Sequence, residues 1–148
     1  MVAERPAVVI RAAEWARDGD ALADIRRRVF IEEQHVTEAL EWDGEDGCAQ
    51  HWLALRDELP VGTVRLLADG HIGRMAVLAQ ARKHGLGSKL LHAAVEAARG
   101  RGLHQVYLHA QVQALAFYAR HGFVVEGEVF MDAGIAHQAM RLLLSPPA

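Results

Sequence analysis

Alternating apolar and polar positions in the first half of the chain predict short strands around one amphipathic helix. Strand-like apolar runs cover residues 7–10, 51–56, 61–67 and 71–77, and the segment 57–60 has the composition of a turn. Between the first two runs, residues 20–34 have the apolar spacing of a helix, and Asp18 or Asp20 is its candidate N-cap. A short helix or turn is expected around residues 37–41.

The second half predicts the same alternation. Apolar residues recur on one face from Leu90 to Ala98, and this spacing predicts a strong helix that ends at Arg99. A strand follows at 105–110, then a helix at 114–121, and two closing strands at 124–131 and 136–144. The strand–helix–strand order from 71 to 110 predicts a parallel crossover. The expected fold class is therefore α/β (α+β), with one mixed, twisted sheet of about six to seven strands and about four helices.

The composition excludes several classes of protein. The 148 residues, 51% of them hydrophobic, fit a single domain over residues 1–148. A net charge of −3 offers no attraction for nucleic acid, and no apolar run is long enough to span a membrane. Cys48 has no intrachain disulfide partner, so we expect a cytoplasmic location and a small, buried thiol. The nine histidines show no metal-ligand spacing, so no metal is expected.

Charge is unevenly distributed along the chain. Residues 32–46 hold seven acidic side chains and no Lys or Arg, whereas residues 74–101 hold six basic side chains against the single acid Glu96. These runs predict either two solvated faces or one region that attracts a cation and another that attracts a polyanion. Under the second interpretation, the acceptor of any reaction would be cationic.

A glycine-rich turn, residues 82–88, lies between a predicted strand and a predicted helix. Free backbone N–H groups and the helix dipole make such a turn an anion site, although an ordinary strand-to-helix turn has the same composition. A dinucleotide fingerprint fails because Leu90 stands where a third small residue is needed, and no P-loop string is present. These failures disfavour a nucleotide-dependent kinase or dehydrogenase.

The string Arg82-x-x-Gly85-x-Gly87 resembles the acyl-CoA motif of the GNAT superfamily of N-acetyltransferases. Gln111-x-x-Ala114-x-x-Phe117-Tyr118-x-x-x-Gly122-Phe123 is similar to the family's second cofactor segment, with Gln111 in place of the commoner Asn. Segments at 28–34, 41–46, 73–77 and 134–140 resemble the small ElaA-like branch, so the likeness covers about residues 7–144. Ala136 and Asp132-Ala133 depart from that branch and leave the acceptor open.

The resemblance implies an acetyl-CoA-dependent N-acetyltransferase that transfers acetyl directly to a primary amine in a ternary complex. A catalytically silent acyl-CoA-binding regulatory module on the same fold is the alternative. Tyr118 would protonate the leaving thiolate, and Gln111 would bind the pantetheine amides. Main-chain groups would bind the thioester arm, and the turn would bind the pyrophosphate. The cofactor-binding residues so implied are Met75, Ala76, Val77, Arg82, Lys83, His84, Gly85, Leu86, Gly87, Ser88, Gln111 and Tyr118.

The general base and the acceptor are less defined. Glu33, Glu41, Asp43, His109 and His137 are candidate bases, with Glu33 and His109 ranked as catalytic and the other three, with Glu33, as acceptor-binding. The acceptor is expected to be a small-molecule or lysine-type amine: a polyamine, an aminoglycoside-like molecule, an amino acid or a protein lysine. A homodimer is compatible with the sequence.

Overall fold

A computed structural model describes residues 7–146 of the chain. Seven strands and four α-helices follow one another in the order that the pattern predicts, with element ends shifted by a few residues. The strands are β1 (Val8–Ala13), β2 (Gln50–Arg56), β3 (Leu59–Leu66), β4 (Ile72–Val77), β5 (Gln105–Gln111), β6 (Val124–Asp132) and β7 (Ile135–Leu143). The helices are α1 (Trp15–Arg26), α2 (Glu38–Glu41), α3 (Leu86–Gly100) and α4 (Leu115–Arg120).

The strands form two sheets instead of one continuous sheet. The first has the order β1-β2-β3-β4 and the second the order β5-β7-β6, and every pairing inside them is antiparallel. The predicted parallel neighbours β4 and β5 meet only at one parallel bridge, between His71 and Tyr107. Beyond that bridge the two strands diverge, and their separation opens a cleft between the sheets.

The core lies around β3 and the helix α3. β3 is buried at every position from Val61 to Leu66, which means that both of its faces are covered, and both α1 and α3 contact it. The apolar face of α3 is buried along its whole length, from Leu86 to Ala98, as its 3.6-residue periodicity predicts. This packing holds the N-terminal end of α3 at the mouth of the cleft.

The first helix differs from its prediction. It begins at Trp15, not near residue 20, and it continues after Arg26 as a π-helical segment, Arg27–Glu33. Asp18 is not the N-cap: its carboxylate lies inside the first turn, accepts the backbone N–H of Glu14 at 3.0 Å and pairs with Arg11 at 3.0 Å. π-Helical turns are frequent at functional sites, and this one ends at the cleft.

Two further observations concern exposure and the membrane. Cys48 is exposed, so the expectation of a buried thiol is wrong; its position on a short turn after the acidic run places it outside the core. No helix among residues 7–146 combines the length and the apolar character that crossing a membrane requires.

Candidate active site

A cavity of about 810 Å³ fills the cleft between the two sheets. That volume lies within the range of small-molecule sites. Most of the residues singled out from the sequence line it: Met75, Val77, Arg82, Lys83, Gly85, Leu86, Gly87, Ser88, Gln111, Tyr118, Glu41, His109 and His137. Ala76, His84, Glu33 and Asp43 are not among its lining residues. Sequence reasoning gave no role to several further lining residues, among them Gln34, Arg74 and Arg120.

The N-terminal end of α3 forms one end of the cavity. Gly85 is its N-cap with φ +78°, a conformation that L side chains rarely adopt, and no side chain caps the helix. The first intrahelical bond runs from the N–H of Lys89 to Gly85 O at 3.2 Å, which leaves the N–H groups of residues 86–88 without helical partners. A Cβ added at Gly87 would lie 3.5 Å from Phe117 Cζ, in ordinary contact with the wall of the cavity. We call residues 85–88, with their free N–H groups, the anion cradle. It fits a phosphate group that approaches the backbone closely.

All three side-chain nitrogens of Arg82 donate hydrogen bonds to other residues of the protein. Its Nε donates to Val77 O at 2.9 Å, and its two terminal nitrogens donate to the carboxylate of Glu33 at 2.7 and 2.6 Å. The hydrogen bonds from Arg82 hold the pKa of the Glu33 carboxyl below its usual value. The guanidinium of the glycine-rich turn is thus tied to the end of the π-helical segment.

The strand β4 is irregular where it borders the cavity. Val64 of β3 stands opposite both Arg74 and Met75, so β4 contains a β-bulge, and Arg74 has φ +49°. Leu78 donates to Val61 O of β3 at 2.8 Å, so the alternation of backbone groups along a strand turns the N–H of Val77 to the opposite edge. The strand therefore presents backbone groups to the cleft, where β5 has separated from it.

Gln111 and Tyr118 approach the cavity from the second sheet. Gln111 Nε2 donates to Gln34 Oε1 at 2.8 Å, which gives the end of the π-helical segment a second link across the cleft. Tyr118 packs against Phe117 and Phe123, at centroid distances of 5.1 and 6.0 Å. Burial raises the pKa of the Tyr118 phenol to about 12, so the hydroxyl keeps its proton at neutral pH.

The acidic run does not create a free negative surface. Five of its seven acids pair with arginines: Glu33 with Arg82, Glu38 with Arg27, Glu41 with Arg26 and Arg74, Asp43 with Arg65 and Arg74, and Asp46 with Arg26 and Arg65. Arg26 is 1% exposed and also lies over the rings of Trp15 and Trp42, at 5.6 and 5.0 Å. The run is therefore less negative than its sequence indicates, and among the described residues only Glu32 and Glu45 of its seven acids lack an arginine partner.

Aromatic rings from four segments line up beside the cavity. His71 stacks on Tyr107 at 4.7 Å and contacts His109 at 4.9 Å; His109 meets the edge of Phe130 at 5.2 Å, and Phe130 stacks on His137 at 5.9 Å. The Nδ1 of His137 lies 2.7 Å from Ile135 O. A carbonyl oxygen only accepts, so Nδ1 carries the proton and Nε2 of the neutral ring is a proton acceptor.

Comparisons with known proteins agree with this geometry. The family model described as an acetyltransferase (GNAT) domain matches residues 13–144. The Bacillus subtilis (strain 168) protein YyaT is 41% identical over 122 residues, covering 78% of this chain and 82% of its own. The crystal structure of an acyl-CoA N-acyltransferase from Pseudomonas aeruginosa is 34% identical, with a TM-score of 0.80 over 91% of this chain and 99% of that one.

The crystal structure of Escherichia coli ElaA is 26% identical to this chain, with a TM-score of 0.81 over 90% of this chain and 98% of that one. The family resemblance of the sequence and the mixed α/β fold are thereby confirmed. The chain belongs to the GNAT family of acetyltransferases, and its resemblance lies with the ElaA-like branch.

Proposed function

We propose that this chain, as a single N-acetyltransferase domain, transfers an acetyl group from acetyl-CoA to a primary amine by direct transfer in a ternary complex. The observation that carries the proposal is that an anion cradle, a protonated tyrosine and the imidazoles of His109 and His137, the two candidate bases, open onto one cavity. Acetyl-CoA supplies the activated acetyl thioester when it is bound. The acceptor supplies the amine nucleophile, and the chain's own groups bind and orient both substrates and move the protons.

Main-chain groups at one end of the cavity would bind acetyl-CoA, the acetyl donor. The free N–H groups of residues 86–88 and the charge of Lys83 suit a pyrophosphate, and Gly85 and Gly87 keep the approach open. The exposed edge of β4 near Val77 suits the amide groups of an extended arm. Gln111 would add a side-chain contact to the same arm by exchanging its bond with Gln34.

Proton transfer would use one phenol and one imidazole. A Tyr118 hydroxyl with a pKa raised to about 12 is protonated at pH 7 and can donate to a departing thiolate. His109 or His137 would accept the ammonium proton, and the hydrogen bond from His137 Nδ1 to Ile135 O leaves Nε2 as the nitrogen that could accept it. Glu33, Glu41 and Asp43 each form an ion pair with an arginine. We therefore propose that these carboxylates shape the acceptor side of the cavity and do not take up the proton.

A CoA-release assay over a panel of primary amines tests the proposal. We expect thiol release that depends on the amine, and pH–rate profiles of His109→Gln and His137→Gln identify the base as the variant that loses the acidic limb. Tight binding of acetyl-CoA without thiol release for any amine would instead support the silent acyl-CoA-binding module.

A further inference from the structure

We call the part of the cavity that is lined by Glu41, Arg65 and Arg74 its acceptor end. The charges of the side chains there are balanced. Three guanidinium groups, of Arg26, Arg65 and Arg74, face three carboxylates, of Glu41, Asp43 and Asp46, at distances of 2.6 to 3.2 Å. Glu41 and Arg65 are each only 3% exposed, so these charged groups neutralise one another and are not available to a ligand. A linear polyamine, which needs a carboxylate for each of its ammonium groups, finds no such series here.

The strands of the acceptor end instead present rings. Tyr107 and His109 lie two residues apart on β5 and share one face of it. The row continues with His71, which directly precedes β4, with Phe130 of β6 and with His137 of β7. We call these five residues the ring row. Burial lowers the pKa of His71 to about 4, so this ring is neutral at physiological pH and offers an uncharged face.

Apolar side chains complete this part of the cavity. Phe30 of the π-helical segment, Val36 and Leu40 line it from the helical side of the chain. Leu40 is 57% exposed, so its side chain is available for contact with a ligand in the cavity. Asp132, an exposed carboxylate at the rim, forms no ion pair with the residues that the structure describes and matches one ammonium group.

We propose that the acceptor is a primary amine borne by a flat aromatic group, an arylalkylamine, which lies against the ring row; this inference rests on the proposed acetyltransferase activity. A planar ring stacks on the imidazole faces of His71, His109 and His137, which line the cavity, whereas a saturated ring of equal bulk gains only apolar contact. The short alkyl arm then brings the amine to the thioester, near His109 and His137.

Acceptor competition at saturating acetyl-CoA tests the inference. 2-Phenylethylamine is compared with 2-cyclohexylethylamine, which has the same bulk without the flat ring, and with putrescine and spermidine. We expect a kcat/KM for 2-phenylethylamine about tenfold above each of the other three. Equal or better use of the saturated amine or of a polyamine would overturn the inference while leaving the acetyltransferase activity standing.

A pair of variants tests the ring row itself. Phe130 does not line the cavity but holds His109 and His137 in place, so Phe130→Leu should reduce the preference for the phenyl over the cyclohexyl amine to about twofold or less. Val125→Ala, at an exposed position of the same strand, should keep the full preference. An unchanged preference in a folded Phe130→Leu protein, judged by acetyl-CoA binding, would contradict the ring row. Absence of thiol release with all four amines and with the wider panel would reject the proposed function, and the inference with it.

Discussion

Glu33 and Arg82 lie 49 residues apart and form a two-pronged ion pair, with N–O distances of 2.7 and 2.6 Å. Glu33 ends the π-helical segment, and Arg82 begins the glycine-rich turn, so the pair connects the acceptor side of the cleft to the anion cradle. Both side chains are about 40% exposed, with values of 38% for Arg82 and 43% for Glu33, and a solvent-screened pair of this kind contributes at most about 1 kcal/mol. It can therefore open when an anion competes for the guanidinium.

Glu33→Gln should separate a binding role from a catalytic one. We expect CoA to bind about two- to fivefold more tightly, because the released Arg82 becomes available to the pyrophosphate, and kcat to change less than about fivefold. Calorimetry and steady-state kinetics measure the two effects, with Glu32→Gln at the neighbouring position as the control. A fall in kcat of about 100-fold or more would identify Glu33 as the general base instead.

Gly87→Val should weaken CoA binding severely. The new side chain would fill the space between the helix N-terminus and Phe117, where a phosphate has to approach the backbone. We expect the Kd to rise by about 100-fold or more, measured by calorimetry. Gly100→Val, at the other end of α3 where nothing lies within 4 Å of the added Cβ, should leave the Kd unchanged. Wild-type affinity in a folded Gly87→Val protein would remove the turn from the donor site.

Tyr118→Phe tests the phenol as a general acid while keeping the ring and its packing. The kcat should fall by about 100-fold with little change in CoA affinity, since a thiolate leaves fairly well unaided. Tyr107 is the other tyrosine of the chain, and its hydroxyl donates to Asp69 at 2.5 Å. Tyr107→Phe keeps the ring that belongs to the ring row and removes only a hydroxyl bound to Asp69, outside the lining of the cavity, so kcat should stay within a few-fold. If Tyr118→Phe retains wild-type kcat when chemistry limits the rate, the proton comes from water.

Arg26→Met should destabilise the fold. It leaves Glu41 and Asp46 without one of their two arginine partners in a buried site and removes a guanidinium from between two tryptophans. We expect a loss of about 3 kcal/mol in the free energy of unfolding, measured in urea. The adjacent, exposed Arg27 pairs with Glu38 at 3.5 Å, so Arg27→Met should lose less than about 1 kcal/mol. Equal losses in both variants would contradict a structural role for the buried cluster.

His71 makes stability depend on pH between about 6.5 and 4. Burial, the neighbouring His109 and the nearby Arg65 and Arg74 together lower the pKa of His71 to about 4, against the opposing effect of Asp69. The unfolded chain binds a proton at this residue near pH 6.5 and the folded chain does not. The contribution is thus fully present above pH 6.5 and is lost as pH falls to about 4.

The measurement is the free energy of unfolding of the wild type and of His71→Phe at pH 7 and pH 4.5. The wild type should lose about 1–2 kcal/mol more than the variant over that interval, after allowance for partial exposure of the ring. Identical pH dependences would mean that His71 titrates normally. His51, whose pKa burial also lowers, contributes in the same direction in both proteins and cancels from the difference.

The local elements and the donor cradle follow from the sequence because they depend on neighbouring residues. Apolar spacing of two or of about 3.6 determines which segments are strands and which are helices, as for α3 from Leu86 to Ala98. Gly85 is needed where the backbone turns through φ +78°, and the anion site that we propose there, with Gly87 beside it, is indicated by the string itself. Tyr118 was found through its family motif, not through any local property of its helix.

Only the tertiary structure decided the character of the acceptor end. The sequence of residues 32–46 indicates a negative surface, yet Arg26, Arg65, Arg74 and Arg82 from other elements pair with four of its seven acids. The separation of β4 from β5, and the row of rings that borders the cleft, likewise depend on which strands pair. Pairing and neutralisation are long-range events, decided by contacts between residues that no short window of sequence contains.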